Sequence, residues 1–340
     1  MSVVSQKLFY SEFGEPVKVV RLEEENLQVP KTNEVLIRML AAPVNPADII
    51  TLQGLYPTKP SLPAVPGNEG VGEVLSVGSA VDSLKPGDRV TAQTAINWGT
   101  WRTHAVCDAG HVYKIPKELS IVDAATMSVN PYTAYRMLKD FVPLSEGDVV
   151  IQNGANSACG QYVIELCKVW GYHTVNVVRD RPNIDELKEN LKELGATYVL
   201  TEDELWETEM FKSGKVARPR LALNCVGGAS GELLARQLEY SSTMVTYGAM
   251  SKQPVPAHAA FFIYNNLTWR GFWVSEWMKQ HTGSPQHLQM KDHVSQLLIE
   301  RKLSTPVHKL VPITAYKEAL ANTSSGTALK SVKYIFNFQN

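Results

Sequence analysis

From about Asp148 the chain alternates short apolar runs with amphipathic helical stretches, and no other feature constrains its fold as tightly. A strand–helix repeat of this kind closes into a parallel sheet covered on both faces by helices. Residues 149–151 read as a buried strand. Val163, Leu166, Cys167 and Trp170 then recur at i, i+3, i+4 and i+7, the spacing of one helix face. Residues 174–178 give the next strand, and Leu187, Leu191 and Leu194 mark a second helix that stops at Gly195. Further strands are expected at 198–200, 221–226 and 244–247. The pattern predicts a doubly wound parallel sheet, an architecture that binds ligands beyond the carboxyl ends of its strands.

Before about residue 125 the rhythm differs. Short apolar runs at 35–40 and 71–77 are separated by Gly and Pro, and Pro57, Pro60, Pro63 and Pro66 fall in one stretch. Proline fixes φ and cannot donate to a strand ladder, so this stretch reads as a stiff, ordered loop. Past residue 285 the pattern gives a helix carrying Val294, Leu297 and Leu298, another at 313–322, and a last strand at 332–336. The expected class is α/β, with a β-rich domain at 1–125, a nucleotide-binding domain at 126–285 and a C-terminal segment, 286–340, that returns to the first. The length of 340 residues suits two domains.

Composition narrows function by exclusion. With 33 basic and 34 acidic side chains the net charge is −1, so there is no electrostatic footprint for nucleic acid. No apolar run reaches 18 residues, which argues against a membrane-spanning helix. Cys107, Cys159, Cys167 and Cys225 are widely separated, without the Cys-x-x-Cys spacing of a zinc ribbon, and read as small buried hydrophobes in a reducing compartment. The first ten residues start with a strand-like segment and show neither a signal peptide nor an Arg-rich leader.

The cofactor site is the firmest inference from the residues themselves. The first strand of the repeat runs into Asn153-Gly-Ala-Asn-Ser-Ala-Cys-Gly160 and then into a helix. Small residues let a pyrophosphate approach the backbone, and a helix N-terminus offers unpaired N–H groups and a positive dipole end. Ala158 stands where a G-x-G-x-x-G fingerprint has its middle glycine, so the turn alone is a weak signal, with a ligand-free strand-to-helix connection as its alternative. About twenty residues on, the second strand ends in Arg179, Asp180 and Arg181. A carboxylate at this place suits the ribose 2′-hydroxyl of NAD, and arginine suits a 2′-phosphate, so NADP(H) is the expected cofactor. Two later strands end in small-residue turns, 226–230 and 247–250, which could edge the same crevice.

Several stretches carry a family resemblance. Gly67-Asn-Glu-Gly70 and Leu84-Lys-Pro-Gly-Asp-Arg-Val90, followed by the nucleotide-binding repeat and the returning tail, resemble the medium-chain dehydrogenase/reductase superfamily over nearly the whole chain. Gly99-Thr-Trp-Arg-Thr103, Val129-Asn-Pro-Tyr-Thr-Ala-Tyr-Arg136, Asn176-Val-Val-Arg-Asp-Arg-Pro182, Leu223-Asn-Cys-Val-Gly-Gly228 and Arg270-Gly-Phe-Trp273 are similar to the mitochondrial trans-2-enoyl-CoA reductases. The resemblance implies a GroES-like catalytic domain plus a Rossmann domain, and NADPH-dependent reduction of 2-enoyl thioesters carried on CoA or acyl carrier protein. It implies a homodimer joined through the nucleotide domains, and a mitochondrial location. A quinone or small-enone reductase of the same superfamily is the alternative enzyme. A non-enzymatic NADPH-binding protein on this fold is the alternative class, since fold alone does not establish function.

The resemblance also makes an expectation about metal. Zinc-dependent members place Cys and His ligands where this chain has Asn45 and Asn68, and no other Cys, His or carboxylate cluster replaces them. No metal is expected. A neutral tyrosine, with its pKa near 10, can donate the proton instead. The resemblance assigns that role to Tyr56; nothing in the spacing selects it among 13 tyrosines. Asn45 is expected as an amide donor near the substrate oxygen or as its support, with a simple turn before Pro46 as the alternative. Further cofactor contacts implied by the resemblance are Asn130; Asn156, Ser157, Ala158 and Cys159; Arg179, Asp180 and Arg181; Tyr247, Gly248, Ala249 and Met250; Phe272, Trp273, Val274 and Ser275; and Lys333, with Lys330 as its rival. Arg301, Lys302 and Lys309 are candidates for a carrier-protein docking patch.

Overall fold

The computed structural model describes residues 2–92, 99–325 and 332–339. The chain forms two compact units, Met1–Val129 with Ser275–Asn340, and Asn130–Val274.

In the first unit, β1 (Val3–Phe9) and β2 (Arg21–Leu27) pair antiparallel, with the short helix α1 (Pro16–Val19) between them. There follow β3 (Glu34–Pro43), α2 (Pro46–Leu52), β4 (Val71–Val77), β5 (Arg89–Ala92), β6 (His104–Asp108), β7 (Val112–Lys114) and α3 (Ile121–Thr126). β3 is the central strand, pairing antiparallel with β4 and with β6. Val35, Ile37 and Met39 alternate along β3 onto one face and pack with Val74 and Val90, as the period of two requires. A second core, with Leu8, Tyr10, Val44, Trp101 and Phe336, takes Ile49 and Leu52 of α2 and so anchors that helix.

The second unit runs α4 (Asn130–Asp140), β8 (Val149–Asn153), α5 (Ala158–Trp170), β9 (His173–Val178), α6 (Ile184–Leu194), β10 (Tyr198–Thr201), α7 (Glu202–Glu207), β11 (Leu221–Asn224), α8 (Gly228–Gln237), β12 (Thr243–Thr246), α9 (Ala259–Ile263) and β13 (Thr268–Gly271). The six strands form a parallel sheet in the order β10-β9-β8-β11-β12-β13. The sheet order reverses between β8 and β11, the place where such sheets hold ligands. Gly195 ends α6 in the left-handed conformation at φ 114°, as its sequence position predicts. β11 stops at Asn224, earlier than the apolar run to 226, because the Asn153 side chain draws the next two N–H groups out of the ladder. Three elements escape the apolar pattern. α7 starts on a Thr201/Glu204 capping box, α8 opens on Gly228 at the end of a glycine turn, and β13 is a polar edge strand.

The chain returns through α10 (Val274–His281), α11 (Pro285–Ile299), β14 (His308–Val311), α12 (Tyr316–Ser325) and β15 (Lys333–Asn337). β15 pairs antiparallel with β3 and parallel with β14, extending the first unit's sheet to seven strands. Residues 126–129 and 275–285, which the sequence pattern grouped with the nucleotide-binding domain, lie in the first unit. The parallel sheet has its last strand at Gly271, so the strand–helix repeat does not extend past it.

Candidate active site

In the second unit the expected cofactor residues gather where the parallel strands end. Asn156 to Cys159 follow β8, Arg179 to Arg181 follow β9, Tyr247 to Met250 follow β12, and Phe272 to Val274 follow β13. Ser157 caps α5, its hydroxyl accepting from Gly160 N–H at 3.1 Å, which leaves the other N-terminal N–H groups of a 13-residue helix for an anion. The glycines of this turn have local reasons. Gly154 sits at φ 59°, and a Cβ on Gly160 would lie 2.6 Å from the Ala155 carbonyl oxygen.

Arg179 is exposed and Arg181 half-buried, and among the described residues neither forms a salt bridge. Burial, and after it the neighbouring Arg179, lowers the Arg181 pKa. The Asp180 carboxylate accepts from the Arg181 backbone N–H at 2.8 Å, so it serves the turn.

Asn130 opens α4, and its carbonyl oxygen accepts from the Cys159 thiol at 3.8 Å. The Tyr247 hydroxyl is buried beside the thiols of Cys159 and Cys225, and burial raises its pKa well above the usual value. The Tyr247, Met250 and Ser251 N–H groups bond the Asn224, Cys225 and Val226 carbonyls, lacing the turn after β12 to the turn after β11. Beneath both lies a network that sequence reasoning missed. Asn153 Nδ2 donates to Asn224 Oδ1 at 2.8 Å and to Ser230 Oγ at 3.2 Å, while its Oδ1 accepts from Cys225 N–H at 2.8 Å. Asn153 and Asn224 flank the switch point, but one sequence shows only two asparagines that end apolar runs.

In the first unit the structure brings Asn45 and Lys333 together, and adds Asp48, Asn68 and Glu69. Lys333 Nζ donates to Asn45 Oδ1 at 2.5 Å, and Asn45 Nδ2 donates to Glu69 Oε2 at 3.0 Å. The other Glu69 oxygen accepts from Val129 N–H at 2.8 Å and from Ser128 Oγ at 3.3 Å. Asp48 accepts from Asn45 N–H at 2.8 Å, from Asn68 N–H at 3.1 Å and from Asn68 Nδ2 at 2.9 Å. The Asn45/Asp48 pair is the start of α2, an Asn-x-x-Asp spacing that could have been read as a helix cap. Asn45, Asp48 and Glu69 are almost wholly buried. Burial pushes the Asp48 carboxyl up to about 7 and raises that of Glu69, and it lowers the Lys333 ammonium, which both carboxylates oppose. Both ends of the Asn45 amide are engaged inside the cluster. Lys330 lies outside the described residues.

Tyr56 lies just beyond α2. Gly54 takes φ 72°, Gly54 N–H bonds Thr51 O at 2.9 Å, and Leu55 N–H bonds Ile50 O at 3.0 Å, a closed helix end that delivers Tyr56 into the Pro-rich loop. In the first unit a pocket of about 380 Å³ is lined by Tyr10, Asp48, Thr51, Asn68, Arg102 and loop residues between Pro60 and Gly67, and Tyr56 is not among its lining residues. The suggested docking cations are each paired: Arg301 with Asp123 at 3.3 Å, Lys302 with Glu300 at 2.8 Å and Lys309 with Glu318 at 2.6 Å. They form no free cationic patch.

Residues 31–117 match the alcohol dehydrogenase GroES-like domain and residues 158–286 the zinc-binding dehydrogenase domain. The second description implies zinc, and the residues here do not fit it. The cluster offers two amides and two carboxylates already filled with hydrogen bonds, faced by an ammonium, where zinc takes thiolate, imidazole or free carboxylate. Among the described residues no group of three or more His, Cys, Asp or Glu could hold a metal ion. The chain is 49% identical over 317 residues to the mitochondrial enoyl-[acyl-carrier-protein] reductase of Mus musculus, spanning 92% of this chain and 84% of the relative. The solved Etr1p/NADP/crotonyl-CoA complex matches with a TM-score of 0.90 at 36% identity, covering 98% of this chain and all of that one. The mitochondrial 2-enoyl thioester reductase Etr1p/Etr2p heterodimer from Candida tropicalis matches with a TM-score of 0.90 at 35% identity, with the same coverage. Identity at this level along almost the full length, on one shared fold, means that the chain belongs to the mitochondrial enoyl-[acyl-carrier-protein] reductases of the medium-chain dehydrogenase/reductase superfamily.

Proposed function

We propose that this chain is an NADPH-dependent reductase of trans-2-enoyl thioesters, producing saturated acyl thioesters as the closing reduction of a fatty acid elongation cycle, with Tyr56 as its proton donor. The observation that carries the reading is kinship with Etr1p, whose solved complex contains NADP and crotonyl-CoA. The relatives are named mitochondrial, and the chain is assigned to that compartment with them.

Bound NADPH supplies the hydride that reaches the β-carbon. The chain's own residues bind, orient and protonate. The capped start of α5, from Asn156 to Cys159, takes the pyrophosphate, and Arg179 and Arg181 take the 2′-phosphate; their lack of a carboxylate partner supports this. Asn130, the turn from Tyr247 to Met250 and the segment from Phe272 to Ser275 hold the nicotinamide end. Tyr56 gives its proton to the α-carbon, which bears enolate charge after hydride arrival. Asn45, its amide held between Lys333 and Glu69, orients the start of α2, and its second amide N–H is the donor offered to the substrate oxygen. Lys333 serves the same cluster through its bond to Asn45 Oδ1, and its role toward the cofactor is read with the family resemblance.

The chain also pairs with a second copy. β13 is an edge strand of the parallel sheet, and Phe262, Ile263 and Tyr264 beside it are 41%, 69% and 74% exposed, an apolar surface next to unpaired ladder groups. Light scattering should give a dimer, and Ile263→Glu with Tyr264→Lys should give monomers; a wild-type monomer overturns the pairing.

Oxidation of NADPH, followed by absorbance against 2-enoyl-CoA substrates of increasing length, tests the activity. Turnover of quinones without crotonyl-CoA turnover would leave the superfamily's enone chemistry instead. NADPH binding without turnover of either would leave a binding protein.

A further inference from the structure

We propose that Glu69 is a positioning residue for this reaction, its two carboxylate oxygens clamping the head of the helix that leads to Tyr56 to the Ser128–Val129 segment that leads to Asn130. The inference rests on the reading of Tyr56 as the proton donor.

Glu69 has no solvent exposure and lies outside every set of residues assigned to the cofactor or the acid. A buried carboxylate is costly unless its oxygens are filled, and here they are filled in opposite directions. Oε2 accepts from the Asn45 amide, and Oε1 accepts from the Val129 N–H and the Ser128 hydroxyl. The Glu69 backbone is held as well, its carbonyl accepting from Thr100 Oγ1 at 2.7 Å. Lys333 supplies the opposing charge and fixes the Asn45 amide by bonding its oxygen, so the Asn45 NH2 can face only Glu69.

Both ends of this clamp lead to residues the reaction needs. Asn45 precedes the first residue of α2, and α2 spans only Pro46–Leu52. Its far end is closed by the Gly54 and Leu55 bonds, so the rod is short and stiff, and a rotation at Asn45 reaches Tyr56 undamped. On the other side, Val129 is the last residue of the first unit and Asn130 the first of the second. A carboxylate is the one side chain of this size that accepts on both oxygens. An amide in its place must turn its NH2 toward either the Asn45 NH2 or the Val129 N–H, and one arm is lost.

Glu69→Gln in the full-length protein tests this by three readings: NADPH affinity by fluorescence titration, kcat on crotonyl-CoA, and the solvent deuterium isotope effect on kcat. The expected result is NADPH affinity within about threefold of wild type, kcat lower by roughly 10- to 100-fold, and a larger isotope effect, because a misaligned donor makes proton transfer slower. A lower kcat with an unchanged isotope effect reports only a smaller folded fraction and overturns the proposal, as does an unchanged kcat. If Glu69→Gln does not fold, Ser128→Ala removes one bond to Oε1 and keeps the charge. A fall in kcat of about two- to fivefold with a raised isotope effect supports the clamp, and wild-type values overturn it. Tyr56→Phe in parallel separates the two readings. Full activity there removes the acid role itself, whereas loss there with a wild-type-like Glu69→Gln removes the clamp alone.

Discussion

The cofactor region of the second unit and the Asn45 cluster of the first handle charge in opposite ways. At the carboxyl end of β9 two arginines, at least partly open to solvent, flank Asp180, and among the described residues neither forms a salt bridge, a surface suited to an anionic ligand. Around Asn45 the charges are mainly anionic, buried and matched bond for bond, with Lys333 set against Asp48 and Glu69. The difference teaches that the first region recognises and the second holds. An unmatched exposed arginine is stable in water and gains a partner when phosphate arrives. An unmatched buried carboxylate would cost the fold several kcal/mol, so each one here is engaged before any ligand binds.

The sharpest way to break that comparison is Tyr56→Phe. Removal of the general acid should lower kcat by about 10²- to 10⁴-fold while NADPH affinity stays near wild type. An equal loss of affinity would merge the two regions into one function. Arg179→Ala combined with Arg181→Ala attacks the other side. Loss of two charge-assisted contacts should weaken NADPH binding by roughly 10- to 100-fold, with little change for NADH. A preserved NADPH/NADH ratio would remove the phosphate-clamp role.

The holding region should reveal itself through pH. The Asp48 carboxyl is raised from 3.8 to about 7 by burial, so the folded chain keeps a proton that the unfolded chain has released. Its contribution to stability is then full below about pH 4 and is lost as pH rises through about 7, and Glu69, also raised, acts with the same sign. Thermal unfolding of wild type against Asp48→Asn between pH 5 and 8 should show wild type losing several degrees relative to the variant. A constant gap would mean that Asp48 does not titrate in that range. The smallest effect is expected outside both regions. Lys302→Ala with Lys309→Ala should change kcat/KM for carrier-bound substrate by less than about twofold, because both cations are already spent on Glu300 and Glu318. A larger loss would restore them as a docking patch.

Legibility divides along the same line. The strands from β8 to β12, the capped start of α5 and the Gly195 stop follow from periodicity and capping rules acting within about ten residues. Arg179 and Arg181 were visible because they sit at a fixed distance from a glycine turn. Asp48 and Glu69 were passed over. Glu69 enters the sequence reading only as part of the Gly67–Gly70 motif, and the Asn45–Asp48 spacing carries no cap reading there. The β13 edge and α8 escaped too, one because its residues are polar, the other because its start is a glycine turn that a loop would share.

What the chain order alone determined is therefore local: a parallel strand–helix repeat, an anion-ready turn with two arginines after the next strand, and a β-rich first part with a returning tail. What only the tertiary structure decided is the meeting of Asn45, Glu69, Ser128 and Lys333, the most distant pair being 288 positions apart in sequence. The physical reason is the range of the forces that leave a mark in sequence. Helix periodicity and caps act between neighbours, whereas the pairing of buried charges depends on which strands lie side by side, and β15 comes beside β3 only when the tail has folded back.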